Sequence, residues 1–484
     1  VLVTDPTDAG PQPRGKQVAE PHGIWYTPVS GIWQTVWMEP VPALHIASVH
    51  TEADLPPFTD PAIAGADADA AAFAQTDLSW PSPEAEGWES STIELSYSLE
   101  APNGRILGES RERTSDRRST DRTGWGLHGP DTSPWSPSRP DLYRLTIRLT
   151  YEGEVIDEVG TYIALREVEV RPDDSGHHRL YLNGEPLFQL GLLDQGYWPD
   201  GLYTAPTDEA LRHDLEVTKD LGFNMVRKHV KVEPDRWYHH CDQLGLLVWQ
   251  DIPSGDRYIG PNDPDYERTP EAAAIFEEEA EAIVRTKGWS PSIVSWVIFN
   301  EGWGQYDTAR WAERFRELDP TRIINSASGW TDRGVGDVLD LHAYPGPTSG
   351  DPGPDRAVVL GEFGGLGLPL AGHTWQDEAN WGYRSYETAE QLTDAYVHLM
   401  KRLTPLVTTG LAAAVYTQTT DVEIEVNGVM TYDRARIKLD EERVRAAHAG
   451  VFDAPTRIRP LVPSAGEDRE ARQAPYAAKA AVPT

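Results

Sequence analysis

The sequence predicts a multidomain α/β plus β protein in which a β-sandwich precedes a TIM (β/α)8 barrel. Three observations predict this fold class. The chain has 484 residues, enough for several domains. Residues 41–169 contain short strand-like runs with turn signals and no long helical pattern. After residue 170, eight short apolar runs alternate with helical stretches over roughly 270 residues, which is the size of such a barrel.

The first 170 residues carry patterns typical of strands. Residues 32–39 alternate with period two, so we expect a strand packed on both faces there. Further strands are expected in the segments ALHIASVHTEADL, STIELSYSLEAP, LYRLTIRLTYEG and VIDEVGTYIALREVEV. Residues 56–77 and 110–124 lie between such segments, and we expect both to be loops. Because the chain opens within a strand-like pattern, we also expect a truncated N-terminal domain.

The later part of the chain predicts the barrel strands and several helices. The strands are expected at residues 187–193, 223–228, 246–251, 293–300, 322–328, 338–344, 357–363 and 411–418. Gly222 and Gly245 are expected to end the first two helices. A third helix is expected between the N-cap Thr269 and Gly288. Residues 451–484 lack periodicity and read as a disordered tail.

The composition argues against several partners. The formal net charge of −34 disfavours nucleic acid and anionic membrane surfaces. No run of 18 apolar residues predicts a membrane span. The single cysteine, Cys241, excludes an internal disulfide. We expect a cytoplasmic protein that needs no metal and no cofactor, and the sequence leaves the oligomeric state open.

Two glutamates stand out because function in such a barrel lies where the strands end. Glu301 ends the fourth run in SWVIFNEGWG, and Glu362 ends the seventh in VVLGEFGG. Strands four and seven lie across the barrel mouth, so these carboxylates can face each other over a bound molecule. Hydrolysis of a glycosidic bond requires such a pair. Since the chain has 77 acidic residues, either motif alone could arise by chance, and their joint position is the specific signal.

These motifs resemble glycoside hydrolase family 2, which contains β-galactosidases, β-glucuronidases and β-mannosidases. GIWQTVWMEP resembles the last strand of the family's jelly-roll sugar-binding domain, and PWSPSRPDLYRLTIRL resembles a motif of its immunoglobulin-like sandwich. The segments around the two glutamates resemble the family's acid/base and nucleophile segments. The resemblance implies a jelly-roll remnant, an immunoglobulin-like β-sandwich, a catalytic TIM barrel and a tail. Their boundaries are 1–40, 41–169, 170–450 and 451–484.

The resemblance also implies roles for single residues. Glu301 would be the general acid/base and Glu362 the nucleophile of a retaining β-glycosidase that works by double displacement. Asn300 would bind the 2-hydroxyl of the sugar. Arg227 would keep Glu362 ionised, because a nearby cation favours the charged carboxylate. Tyr344 would orient Glu362 through a hydrogen bond.

Four further residues near strand ends are expected to bind the substrate: Asp194, Trp198, His229 and Tyr416. The sequence leaves open a turn role for Asp194 and Trp198, and a structural hydrogen bond for His229. Tyr416 stands where many glycosidases of this kind have a tryptophan beneath the sugar ring. The shape of the sugar subsite is therefore uncertain from the sequence.

The identity of the sugar is the least determined part of the prediction. The Asn-x-Lys motif by which β-glucuronidases bind the sugar carboxylate is not evident, because Met430 and Thr431 follow Asn427 where a lysine is expected. This disfavours a glucuronide. From family frequency alone we expect a carbohydrate substrate of the β-galactoside type, with β-mannosidase or β-glucuronidase specificity as alternatives. A non-catalytic carbohydrate-binding protein on the same fold is a further alternative.

Overall fold

The computed structural model describes residues 2–56, 67–81, 93–113, 120–351 and 353–454. The first seven strands are β1 (His45–Asp54), β2 (Ala70–Ser79), β3 (Ile93–Glu100), β4 (Ile106–Arg113), β5 (Thr120–Leu127), β6 (Tyr143–Tyr151) and β7 (Glu154–Ile163). They form two antiparallel sheets, ordered β1-β2-β5 and β4-β3-β6-β7. Buried side chains alternate along β3 and β6 and fill one core between the sheets. This arrangement confirms the predicted β-sandwich.

The two predicted loops in this region are wrong where the structure describes them. β2 covers 70–77, while β4 and β5 cover 110–113 and 120–124. The sequence signal was weak because alanine has a low strand propensity and charged residues are common in loops. Packing against the facing sheet stabilises the strand conformation instead, since Ala70, Ala72 and Ala74 are fully buried beneath that sheet. Residues 57–66 and 114–119 of the predicted loops, and 455–484 of the predicted tail, lie outside the described residues.

The predicted strand over residues 32–39 is also wrong. Residues 2–44 contain only isolated bridges rather than a strand. The side chains of Ile32, Val36 and Met38 are exposed by 64%, 73% and 97%, and no described strand pairs with this segment. Residues 14–34 instead lie against the barrel, where the Gln34 Nε2 donates a hydrogen bond to the Val232 carbonyl at 3.1 Å. The jelly-roll origin of residues 1–40 stays a prediction.

Eight parallel strands form the barrel. A small sheet of β8 (Val168–Pro172), β9 (His178–Leu182) and β10 (Glu185–Pro186) precedes it. The barrel strands are β11 (Gln189–Asp194), β12 (Met225–Lys228), β13 (Leu247–Asp251), β14 (Ile293–Val297), β15 (Ile323–Asn325), β16 (Val338–Ala343), β17 (Ala357–Gly364) and β20 (Leu411–Thr417). Two short strands, β18 (Leu366–Gly367) and β19 (Arg384–Ser385), lie between β17 and β20 in the chain. Each barrel strand lies within or overlaps one of the eight predicted runs, which confirms the barrel.

The order of the barrel strands is β15-β14-β13-β12-β11-β20-β17-β16. Their hydrogen-bonded ladder is open between β15 and β16. There the Asn325 Nδ2 donates a hydrogen bond to the Asp340 Oδ2 at 2.6 Å, so side chains connect the two end strands. Apolar residues of the strands fill the barrel interior, and two further apolar clusters lie between strands and helices.

Six helices surround the strands: α1 (Asp208–Asp220), α2 (Asp235–Leu244), α3 (Pro270–Lys287), α4 (Thr308–Leu318), α5 (Ala389–Thr408) and α6 (Glu441–Phe452). The predicted boundaries of the first three are confirmed. The Thr269 hydroxyl accepts a hydrogen bond from the Ala272 amide at 3.2 Å, and Gly245 ends α2 in the left-handed conformation with φ 69°. None of the helices in the described ranges is both long and apolar enough to cross a bilayer.

Candidate active site

The carboxylates of Glu301 and Glu362 lie close together at the mouth of the barrel. Glu301 follows the end of β14, and Glu362 lies near the end of β17. Both are buried, with exposed fractions of 8% and 5%. One oxygen of each carboxylate and the Nδ1 of His342 lie within 4.8 Å of one another. The two acids therefore face the same opening, from strands that are not neighbours in the sheet.

A tight turn directs the Glu301 side chain. Glu301 has φ 52°, in the left-handed region that a non-glycine residue rarely adopts, and Gly302 follows with φ 77°. A Cβ on Gly302 would lie 2.3 Å from the Ile259 carbonyl oxygen, so only glycine fits there. The Glu301 amide donates a hydrogen bond to the Ser328 carbonyl at 2.8 Å. Surrounding structure thus stabilises a strained conformation at this carboxylate.

Positive charge and hydrogen bonds surround Glu362. The Tyr344 hydroxyl donates a hydrogen bond to the Glu362 Oε2 at 2.5 Å, and the Arg227 Nη1 lies 3.4 Å from the Oε1. Burial raises the pKa of Glu362, but the charges of His342, His229, Arg227 and Lys16, in decreasing order of effect, outweigh burial and lower the pKa to about 2. Glu362 is therefore ionised at neutral pH.

Arg227 connects several strand ends through its guanidinium, which is fully buried. It pairs with both oxygens of Asp251 at 3.0 Å. It also donates hydrogen bonds to the Asn300 Oδ1 and the Ser328 Oγ, both at 2.9 Å. The His229 Nδ1 lies 2.7 Å from the Asp251 Oδ2, and burial lowers the His229 pKa. The structure thus brings Asn300, Arg227 and His229 into one network with Glu362.

His342 lies between the two glutamates. Its Nδ1 is 2.8 Å from the Glu301 Oε1 and 3.6 Å from the Glu362 Oε2, and its Nε2 is 2.7 Å from the Ser328 Oγ. Burial lowers the pKa of His342, but the Glu362 and Glu301 carboxylates outweigh burial and raise it. No role for His342 was predicted from the sequence. Its position two residues before Tyr344 could have indicated that it faces the site, because alternate residues of a strand share one face.

Asp194 and Trp198 each lie against a buried cation other than those around Glu362. The Asp194 Oδ2 accepts a hydrogen bond from the Lys228 Nζ at 2.6 Å, within a separate buried group of charges. Trp198 is only 4% exposed, and the Arg434 guanidinium covers its ring at 4.0 Å from the centroid. Within the described residues, neither side chain is hydrogen-bonded or ion-paired to Glu301 or Glu362, and their substrate-binding role stays a prediction.

Tyr416 also points away from the mouth. It is 1% exposed, and its ring packs edge-on against Phe363 at 5.7 Å between centroids. The next residue, Thr417, faces the site instead, since its hydroxyl lies 2.8 Å from that of Tyr344. Successive strand residues point to opposite faces, so a shift of one position exchanges a core residue for a site residue.

Aromatic rings that the sequence analysis did not assign surround the mouth. Trp303 packs edge-on against Trp25, with 4.7 Å between ring centroids. Tyr383 stacks on Tyr344 at 3.7 Å, and Trp330 lies 6.0 Å from His342. Tyr383 and Trp330 are 43% and 39% exposed, so each offers a ring surface to a bound molecule.

The same centre has the donor set of a divalent cation site. Glu301, His342 and Glu362 offer two carboxylate oxygens and one imidazole nitrogen, which suit a zinc ion. Such an ion would occupy both carboxylates. The absence of a metal requirement stays a prediction.

Comparisons with known proteins identify the family of the chain. The family model "Glycosyl hydrolases family 2" matches residues 64–166, and "Glycosyl hydrolases family 2, TIM barrel domain" matches residues 179–344. A β-galactosidase of Vibrio vulnificus is 28% identical over 241 residues, which are 47% of this chain and 22% of the relative. A β-galactosidase of Thermoanaerobacter pseudethanolicus is 32% identical over 175 residues, which are 36% of this chain and 22% of the relative.

The fold also matches a solved structure, the β-glucuronidase of Bacteroides uniformis. The TM-score is 0.66 at 18% sequence identity, and the match covers 90% of this chain and 54% of that protein. The chain thus spans about a fifth of the two curated relatives and about half of this structural neighbour. The two family matches together include more than half of the chain. The chain therefore belongs to glycosyl hydrolases family 2.

Proposed function

We propose that this protein is a retaining β-glycosidase that hydrolyses terminal β-linked sugars. The observation that carries the proposal is the pair Glu301 and Glu362, with carboxylate oxygens within 4.8 Å of each other at one barrel mouth. Carboxyl groups of retaining glycosidases are about 5–5.5 Å apart, whereas inverting enzymes need about 6.5–9.5 Å to admit water between them. The short spacing supports retention.

The proposed reaction has two steps. First, the Glu362 carboxylate attacks the anomeric carbon while Glu301 donates a proton to the departing glycosidic oxygen. The bond to the leaving group breaks, and a glycosyl ester forms on Glu362. Then Glu301 takes a proton from water, and the resulting oxygen nucleophile attacks the same carbon and frees Glu362. Two displacements on opposite faces retain the configuration.

The electrostatics support this division of labour. The low pKa of Glu362 keeps it anionic and ready to attack. Ester formation removes this charge, so the Glu301 carboxylate left after the first step does not face a second anion. Asn300 can bind the sugar 2-hydroxyl, because Arg227 holds its Oδ1 while its Nδ2 makes no hydrogen bond with the described residues. Tyr344 orients Glu362 through their hydrogen bond.

The choice of sugar remains open within this proposal. Both curated relatives described above are named β-galactosidases, which is in line with the β-galactoside preference from the sequence. Asp194, Trp198 and Tyr416 are not well placed to contact a sugar between the glutamates. Trp303, Tyr383 and Trp330 are better candidates for ring platforms.

The test compares Glu362→Gln, Glu301→Gln and the wild type on 4-nitrophenyl β-glycosides. Exposed Glu378→Gln serves as the control. We expect each active-site variant to lose at least about 1,000-fold in kcat/KM with an unchanged circular dichroism spectrum. Azide should restore turnover to Glu301→Ala by yielding a β-glycosyl azide, and NMR should show a β-configured first product from the wild type. Wild-type turnover by either glutamine variant, or an α-configured first product, contradicts the proposal.

A further inference from the structure

The N-terminal segment, residues 14–34, forms part of the wall of the barrel mouth. The Gly15 amide donates a hydrogen bond to the Ser254 carbonyl at 2.8 Å, just beyond β13. The Thr27 amide donates to the Glu423 Oε1 at 2.7 Å, beyond β20. Trp25 packs against Trp303, which follows Glu301 by two residues. Side chains of this segment can therefore contact a molecule bound between the glutamates.

Lys16 is unlike the other buried lysines of the described chain. Four lysines besides Lys16 are at least nine-tenths buried, and each has a carboxylate partner. The pairs are Lys228–Asp194, Lys231–Glu233, Lys287–Asp235 and Lys438–Asp421. Lys16 is only 6% exposed, yet its ammonium makes no hydrogen bond or ion pair within the described residues. Its Nζ lies 5.3 Å from the centroid of the Trp25 ring.

The Lys16 ammonium lies at the side of the barrel mouth, because the Trp25 ring beneath it packs against Trp303, two residues after Glu301. Its charge lowers the pKa values of Glu362, His229 and Glu425. These three residues lie at or beyond the ends of three different barrel strands, and the effects on them agree with a cation beside the mouth. The Lys16 ammonium has no anionic partner among the described residues, and an incoming anion would supply one.

We propose that Lys16 binds an anionic substituent, a carboxylate or a sulfate, on the sugar held between Glu301 and Glu362. This inference rests on the proposed function and names its substrate class. The lack of a lysine shortly after Asn427 disfavoured a glucuronide at the level of the sequence. The structure supplies an ammonium from a distant part of the chain instead. A neutral hydroxyl gives Lys16 one hydrogen bond, whereas an anion also neutralises its charge.

The kinetic test compares substrates that differ only in this charge. The 4-nitrophenyl β-D-glucuronide and β-D-galacturonide are compared with the matching glucoside and galactoside, and a 6-sulfated galactoside distinguishes sulfate from carboxylate. The proteins are the wild type, Lys16→Met, Lys16→Arg and the control Lys401→Met, which changes an exposed lysine of α5. We expect an anionic substrate to be preferred. Lys16→Met should lower its kcat/KM about 30-fold and that of its neutral counterpart less than about threefold.

Lys16→Arg should restore part of the lost activity, since it keeps the charge. A preference for neutral substrates overturns the inference. An equal loss of kcat/KM on charged and neutral substrates with Lys16→Met also overturns it, and shows that Lys16 only balances the charges of Glu362 and Glu425. Either result leaves the proposed hydrolysis intact.

Calorimetry separates the two proposals without turnover. D-Glucaro-1,4-lactone, which carries a carboxylate, should bind the wild type about 30-fold more tightly than Lys16→Met. Binding of the neutral D-glucono-1,5-lactone should hardly change. One possible result is that the protein shows no hydrolysis, while its binding of the carboxylate lactone still depends on Lys16. In that case the proposed function fails and the inference stands. Equal binding of that lactone by both proteins overturns the inference whatever the activity.

Discussion

Glu425 should make the protein less stable as the pH rises from acidic to neutral. Its carboxylate is 2% exposed at the barrel mouth. The Tyr26 hydroxyl donates a hydrogen bond to one oxygen, and the Asn427 Nδ2 donates to the other at 2.9 Å. Burial nevertheless raises the pKa of Glu425 from 4.5 to about 7, and these hydrogen bonds and Lys16 only moderate the effect.

The sign follows from the proton uptake of the two states. Below pH 4.5, Glu425 is protonated in both the folded and the unfolded chain, and its contribution to stability is complete. Between pH 4.5 and about 7, the unfolded chain releases the proton first, so unfolding becomes easier as the pH rises. At about 1.4 kcal/mol per pKa unit, this gap corresponds to about 3 kcal/mol of unfolding free energy.

Urea unfolding of the wild type and Glu425→Gln at pH 4.5, 5.5, 6.5 and 7.5 measures this effect, with tryptophan fluorescence as the signal. The wild type should lose about 3 kcal/mol relative to the variant across this range. Asp242 and Asp421, whose pKa values burial raises to about 6, titrate in both proteins and cancel in the difference. Exposed Glu378→Gln should follow the wild type. A difference that stays constant with pH would show that folded Glu425 ionises normally, and the reasoning from burial would be refuted.

Two further predictions concern the glutamate pair. Tyr344→Phe removes the hydrogen bond to the Glu362 Oε2, so kcat should fall about 10- to 100-fold, and the acid limb of the pH–rate profile should move to higher pH because the pKa of Glu362 rises. An unmoved acid limb would contradict this account, and thermal unfolding provides the folding control. Zinc should inhibit hydrolysis by binding Glu301, His342 and Glu362, and a chelator should reverse the inhibition. His342→Gln should weaken zinc inhibition, and full activity in millimolar zinc would contradict the site.

Periodicity and capping signals were enough to predict the architecture of the barrel. Each barrel strand is a short apolar run bounded by turn residues, and such runs are local in sequence. Thr269 and Gly245 mark helix ends through contacts within a few residues, so they too can be read directly. The strand in the alanine-rich segment 70–77 could not be predicted from the local sequence, because its stability comes from burial against a sheet formed by distant residues.

The site was predictable only in part, for a related reason. The ends of strands locate Glu301 and Glu362, but they do not tell which way the neighbouring side chains point. Tyr416 and Thr417 are adjacent in sequence and face opposite sides of β20. The contacts that hold residues 14–34 at the mouth, such as Trp25 with Trp303, join segments more than two hundred residues apart, and no local pattern encodes them.

The path of residues 14–34 across the barrel mouth affects how relatives of this protein should be grouped. Neither family match, at residues 64–166 or 179–344, includes Lys16 or Trp25. Phylogenies built from the barrel alone would thus group enzymes by their shared chemistry while ignoring a segment that can select the sugar. A minimal enzyme cut at residue 170 would keep both glutamates yet lose one side of its pocket. Libraries that aim to change selectivity should begin with these twenty-one residues, from Arg14 to Gln34.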